Sequence, residues 1–151
     1  MTRARTNSTK GDRIAPSGPA RLVASDLASH MKVRLTVKDQ TLIARLIDSP
    51  STRDFLSLLP LTLTMNDLFK REKFALLPRA LSTEGKHTHS YALGDIAYWP
   101  PGPDIAIFYH HDGEPIPDPG IIVIGKIGSG LHAIGTAGAV KVTIESMSDC
   151  S

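Results

Sequence analysis

Between Gly94 and Leu131 the chain reads GDIAYWPPGPDIAIFYHHDGEPIPDPGIIVIGKIGSGL. This stretch constrains the fold more than any other, because short apolar runs alternate with Pro/Gly turns. Strands are expected at Asp95 to Trp99, Ile105 to Tyr109 and Ile121 to Ile127, with Pro100-Pro101-Gly102-Pro103 and Asp112-Gly113 as turns. The single Trp (Trp99) and two of the three Tyr (Tyr98, Tyr109) also fall here.

The flanking sequence continues the pattern. Val33, Leu35 and Val37 alternate with polar neighbours, the period-two signature of a half-buried strand. Asp39-Gln40 turns the chain into a second strand, Leu42 to Ile47, to give a hairpin. Ser49-Pro50 supplies an N-cap followed by Pro at the first helical position. Phe55, Leu58 and Leu59 then form one apolar stripe before Pro60 stops the helix. Leu61, Leu63 and Met65 alternate in a third strand, and Val140 to Glu145 forms the last. Lys70 to Ser90 reads as polar loop with a short strand or turn, and Leu131 to Ile134 as one helical turn closed by Gly135. Six or seven strands, one helix and tight turns predict a mainly β domain, a closed or nearly closed barrel. The helices needed for a Rossmann-type sheet are missing.

Composition separates a tail from this domain. Residues 1–30 hold Arg3, Arg5, Lys10, Arg13 and Arg21 against Asp12 and Asp26, with almost no large apolar side chain before Leu22. Such a segment cannot offset its own chain entropy, and a disordered basic tail is expected. Its Arg-rich, acid-poor character also fits a transit peptide, and Met31, directly before the first strand, fits a downstream start. The domain is assigned to residues 31–151. The tail carries a net +3 of the chain's +2, so the domain is slightly acidic and has no nucleic-acid footprint. No apolar run approaches the ~20 residues needed to span a bilayer, and Cys150 is the only cysteine. A cytoplasmic protein without membrane or nucleic-acid partners is expected, with neither disulfide nor cofactor.

Several blocks resemble a known family. They are Leu59-Pro60-Leu61-Thr62 with Asn66-Asp67, Glu72-Lys73-Phe74, Leu77-Pro78, Gly94 to Pro100, Ile107-Phe108-Tyr109, Ile124 to Ile127, and Gly130-Leu131. In this order, over Met31 to Glu145, they resemble the bacterial and archaeal cyclophilin-like domain family, small proteins largely of unknown function. The resemblance implies a closed barrel of about eight strands capped by helices. It does not extend to the blocks of the prolyl isomerases. Phe108-Tyr109-His110-His111 has only a superficial likeness to their Phe-His pair with its neighbouring Arg, and no Phe-x-x-Gln occurs. Fold alone does not carry function.

Candidate chemistry is sparse. His87-x-His89 and His110-His111-Asp112 hold metal-ligating side chains, but neither spacing is that of a metal motif, and no metal is expected. No G-x-S-x-G or phosphate loop is present, and Gly128-Ser129-Gly130 reads as a strand-to-helix turn. Tyr98, Trp99, Phe108 and Tyr109, read as lying at the ends of adjacent strands beside a rigid Pro/Gly rim, suit a pocket at a barrel mouth. Strand alternation turns only half of them one way.

The charge run Lys70 to Lys73 is expected to be solvated, or Glu72-Lys73 to form a buried ion pair near a pocket. Thr62, Asn66 and Asp67 are read either as ligand contacts or as turn residues. The expected ligand-binding set is Trp99, Tyr98, Tyr109, Thr62, Glu72 and His110. The leading expectation is a binding module for a small molecule or extended peptide, followed by a divergent peptidyl-prolyl cis-trans isomerase. A structural role in which strand edges pair two copies into a homodimer is the third.

Overall fold

A computed structural model describes residues 31–147. The tail, His30 and Cys150 lie outside the described residues. Eight antiparallel strands close a barrel in the order β1-β2-β7-β5-β6-β4-β3-β8, with β8 pairing back to β1. They are β1 (Lys32–Val37), β2 (Gln40–Leu46), β3 (Leu61–Leu68), β4 (Glu72–Leu76), β5 (Asp95–Trp99), β6 (Asp104–Phe108), β7 (Ile122–Ile127) and β8 (Val140–Ser146). Among the described residues every strand is therefore paired on both sides.

The period-two patterns translate directly into burial. Val33, Leu35 and Val37 of β1, Leu42, Ala44 and Leu46 of β2, and Val140, Val142 and Ile144 of β8 all point into one core. The first hairpin turns one residue earlier than its sequence indicates: Gln40 already pairs with Val37, and Lys38 takes the left-handed φ of 57°. β4 adds the strand that the charge run concealed.

The two ends of the barrel are plugged differently. At the end where β2 leaves and β3 enters, α1 (Pro50–Ser57) drives a fully buried Phe55 into the core. Ser49 caps it as expected, its Oγ accepting from the Thr52 amide at 3.1 Å. Between β7 and β8 a 3-10 turn, Leu131–Ala133, follows Gly130 (φ 82°) and brings Ala133 and Ile134 into the same core.

A polar knot closes this second end. Lys73 points inward from β4 and is wholly buried, its Nζ donating to Asp67 Oδ1 (3.0 Å), the Thr136 carbonyl (2.6 Å) and the Gly138 carbonyl. Three acceptors use the three protons of the ammonium, as a buried charge requires. The Tyr109 hydroxyl donates to the same Asp67 oxygen. Gly135 lies so close to the Tyr109 ring that a Cβ there would stand 2.9 Å from its Cδ1.

Outside the barrel lies a second apolar cluster. Tyr91, Ala97, Ala106, Phe108, Ile116 and Ile121 are buried there, with Phe74, Trp99 and Val123 packed against them. The loops before β5 and after β6 therefore cover the outer face of β5 and β6. This outer cluster explains the apolar residues on both faces of those strands.

Candidate functional site

An open groove runs along this outer face. It holds about 200 Å³ and is lined by Leu68, Phe69, Arg71, Glu72, Phe74, Trp99, Asp104, Ala106, Phe108, Ile116, Pro117 and Ile121. Strand alternation builds the floor. Asp104, Ala106 and Phe108 are alternate residues of β6, and Glu72 and Phe74 alternate residues of β4 directly opposite Phe108 and Ala106. Trp99 stands opposite Asp104 from β5. The loop carrying Ile116, Pro117 and Ile121 forms one wall, held by the Ile116 amide on the His89 carbonyl at 2.8 Å.

A buried ion pair marks one end. Arg71 and Glu72 are only 6% and 7% exposed, which corrects the reading of this run as solvated. Arg71 donates from Nε to Glu72 Oε2 at 2.9 Å and from its terminal nitrogen to the same oxygen. Asp112 lies 3.7 Å from another guanidinium nitrogen. The guanidinium also sits over the rings of Phe69, Tyr91 and Phe108 at 5.4, 5.5 and 5.7 Å, contacts that favour an Arg over a Lys.

Tyr91 organises this end further. It stacks on Phe108 at 4.3 Å and on His111 at 4.5 Å, and its hydroxyl donates to Asp112 at 2.8 Å. Burial pushes the Glu72 carboxyl up despite its bonds from Arg71. The Asp112 carboxyl is held down by the Glu114 amide and the Tyr91 hydroxyl.

Of the six residues expected in the site, the structure brings only Trp99 and Glu72 to the groove. Tyr98 turns into the barrel core, 1% exposed, with its hydroxyl accepting from the Leu81 amide at 3.0 Å. Tyr109 packs against the same core and closes the polar knot with Asp67; burial first, and then Asp67, pushes its hydroxyl pKa up to about 12. Thr62 lies on the outside of β3, bonded to Thr143 of β8 at 3.0 Å, away from the groove. His110 is exposed, its amide donating to the Arg71 carbonyl at 3.2 Å.

The clustering of four aromatics at one mouth fails for a topological reason. β5 and β6 are antiparallel, with Tyr98 opposite Ile105 and Ile96 opposite Ile107. Tyr98 and Trp99 therefore lie at one end of the hairpin, with Phe108 and Tyr109 at the other. What joins Trp99 and Phe108 is a shared outer face along the strand.

The histidines stay apart from any such constellation. His87 bonds the Pro119 carbonyl (3.1 Å) and His89 the Ile116 carbonyl (2.8 Å), which staples the covering loop. Among the described residues no three His, Cys, Asp or Glu side chains come together as a metal site would require. No helix among them is long and apolar enough to cross a membrane.

Arg71, Phe69, Phe74 and Asp104 also line the groove, and nothing in the local sequence pattern places them there together. Phe74 and Phe108 did carry a signal, since each alternates with a side chain that faces the barrel interior.

A closed eight-stranded barrel with an external, apolar groove defines the class of protein. The chain belongs to the cyclophilin-like family, whose model matches residues 35–145. It is also similar in structure to the hypothetical protein AF2241 from Archaeoglobus fulgidus, known from a solution structure. That match has a TM-score of 0.64 and 25% identity, and covers 78% of this chain and 95% of the archaeal one. No curated protein matches the chain.

Proposed function

We propose that the protein is a binding module that holds an apolar group of an extended peptide, or of a small molecule of similar size, in the external groove. The observation that carries this reading is an open, mainly apolar groove in which the partly exposed Leu68, Phe74 and Trp99 and the exposed Phe69 lie beside a buried, hydrogen-bonded Arg71–Glu72 pair. Concave apolar lining with a few fixed polar groups is the usual composition of a ligand site. At about 200 Å³ the space suits one or two side chains of an extended segment rather than a drug-sized molecule.

Trp99 is the only tryptophan, so its fluorescence reports on the groove directly. Titration with short capped peptides bearing Leu, Phe or Pro is expected to shift its emission, and Ala106→Trp, which fills the floor, is expected to abolish binding measured by calorimetry. Binding that survives Ala106→Trp would place the ligand elsewhere.

A second reading, prolyl isomerisation, is favoured by one observation: Arg71 supplies a guanidinium at the edge of an apolar groove. A donor directed at a prolyl nitrogen would weaken the amide resonance behind the barrier of ~18–20 kcal/mol. Acceleration of X-Pro isomerisation that disappears in Arg71→Lys would support it. No acceleration at micromolar protein would leave binding alone.

A further inference from the structure

The groove is polarised, and the end away from Arg71 has a free carboxylate. Glu72 is engaged by Arg71, and Asp112 by Tyr91 and Arg71. Asp104 also lines the groove, yet its carboxylate has neither hydrogen bond nor ion pair among the described residues. It stands between Trp99 on β5 and Leu76 on β4, each its direct cross-strand partner. Opposed residues in an antiparallel pair hold their Cβ atoms ~4.5–5.5 Å apart, so the indole and the carboxylate present themselves to one ligand group.

Gly102 leaves room for that carboxylate in its present position. A Cβ at this position would lie 2.4 Å from the Asp104 carboxyl carbon. Burial alone raises the Asp104 carboxyl above its ordinary value, with no cation to counter it. The lining as a whole has one guanidinium against two carboxylates. An aromatic face beside an unpaired carboxylate is the chemistry that holds an ammonium or guanidinium.

Resting on the groove reading above, we propose that the ligand is an extended peptide segment in which a Lys or Arg stands two residues from an apolar side chain. The cation lies between Trp99 and Asp104, and the apolar side chain over Ala106 and Phe74. The spacing follows from the floor. Asp104 and Ala106 are alternate residues of one strand, about 7 Å apart at a rise of ~3.3 Å per residue, and an extended ligand has the same rise. The lining continues to Phe108, about 13 Å of strand in all, which suits a chain rather than a compact amine.

The test uses the full chain and three capped pentapeptides: Gly-Leu-Gly-Lys-Gly, and the same peptide with norleucine or Glu in place of Lys. Trp99 fluorescence and calorimetry give the affinities. The Lys peptide is expected to bind about tenfold more tightly than the norleucine peptide, the sum of one partly exposed ion pair and one cation–π contact. The Glu peptide is expected to bind weakest. Asp104→Asn should erase the advantage of the Lys peptide over the norleucine peptide. In the unaltered protein, 1 M NaCl should shrink the same ratio, since the Debye length falls to ~3 Å. Equal affinity for the Lys and norleucine peptides, or an advantage that survives both Asp104→Asn and high salt, overturns this inference while the groove reading stands. If neither peptide binds, both fall together.

Discussion

Replacing Lys73 by Met removes the charge at the centre of the polar knot while keeping an unbranched side chain of similar length. The lysine is fully buried, and its loss leaves the Thr136 and Gly138 carbonyls without their donor. Asp67 would keep only the Tyr109 hydroxyl and the Lys70 amide. Breaking a buried pair from one side costs ~3–5 kcal/mol. Because the Asp67 side chain is 24% exposed, water recovers part of that, and the low end, about 3 kcal/mol, is expected. For a domain of this size each kcal/mol moves Tm by ~4 °C, so a fall of about 12 °C should appear in calorimetry or thermal circular dichroism. The double variant Lys73→Met/Asp67→Asn should lose at least ~1 kcal/mol less than the two single losses added together, because the partners share one interaction. Amide exchange should quicken first around residues 131–138, which the ammonium ties to β4. A Tm within ~3 °C of the unaltered protein, or strict additivity in the cycle, would refute the view that this knot holds the plug in place.

Other outcomes follow from the same geometry. Burial raises the Glu72 carboxyl above its ordinary 4.5. Its folded form therefore holds the proton more readily than the unfolded one, so this group contributes most stability below 4.5 and less as pH rises through the folded value. Denaturant melts from pH 4 to pH 7 should show that decline, to which the raised Asp104 carboxyl also contributes, and Glu72→Gln should make it shallower. The Asp67 carboxyl behaves oppositely. Burial works to raise it, but bonds from Tyr109, Lys73 and the Lys70 amide hold it below 3.8, so its stabilisation is present above 3.8 and fades as acid titrates the folded form. Phe69 holds a left-handed φ of 59° at the groove edge and is 72% exposed. Phe69→Gly relieves that strain but gives up the ring's contact with Arg71, so any gain in urea melts should stay below ~1 kcal/mol while peptide binding weakens. A loss of stability would show that its ring is structural. Gly135→Ala forces a Cβ against the Tyr109 ring, and a cost of ~1–3 kcal/mol is expected in the same melts.

Much of the barrel was legible because its inward residues are apolar at period two. Val33, Leu35 and Val37 could hardly be read otherwise, and Ser49-Pro50 announces α1. β4 was obscured because its inward residue is Lys73, while the apolar Phe74 faces outward into the second cluster. Arg71 was hidden for a related reason: a charged residue buried under aromatics has the same letters as one in water. The aromatic cluster was misplaced because the period of a strand says which face a side chain takes. Only the antiparallel register says which end of the hairpin Trp99 and Tyr109 occupy. Trp99 and Glu72 both line the groove, but that they share it depends on strand pairing that no local pattern encodes.

Ligand is expected to bind outside the barrel, along β4, β6 and β5. The most direct measurement is a 1H–15N correlation spectrum of the full chain titrated with the capped Gly-Leu-Gly-Lys-Gly peptide. Saturable shifts are expected for the Trp99 indole N–H and for the amides of residues 68–74, 104–108 and 116–121. Shifts confined to α1, to the 3-10 turn or to the β1–β8 face would contradict the account.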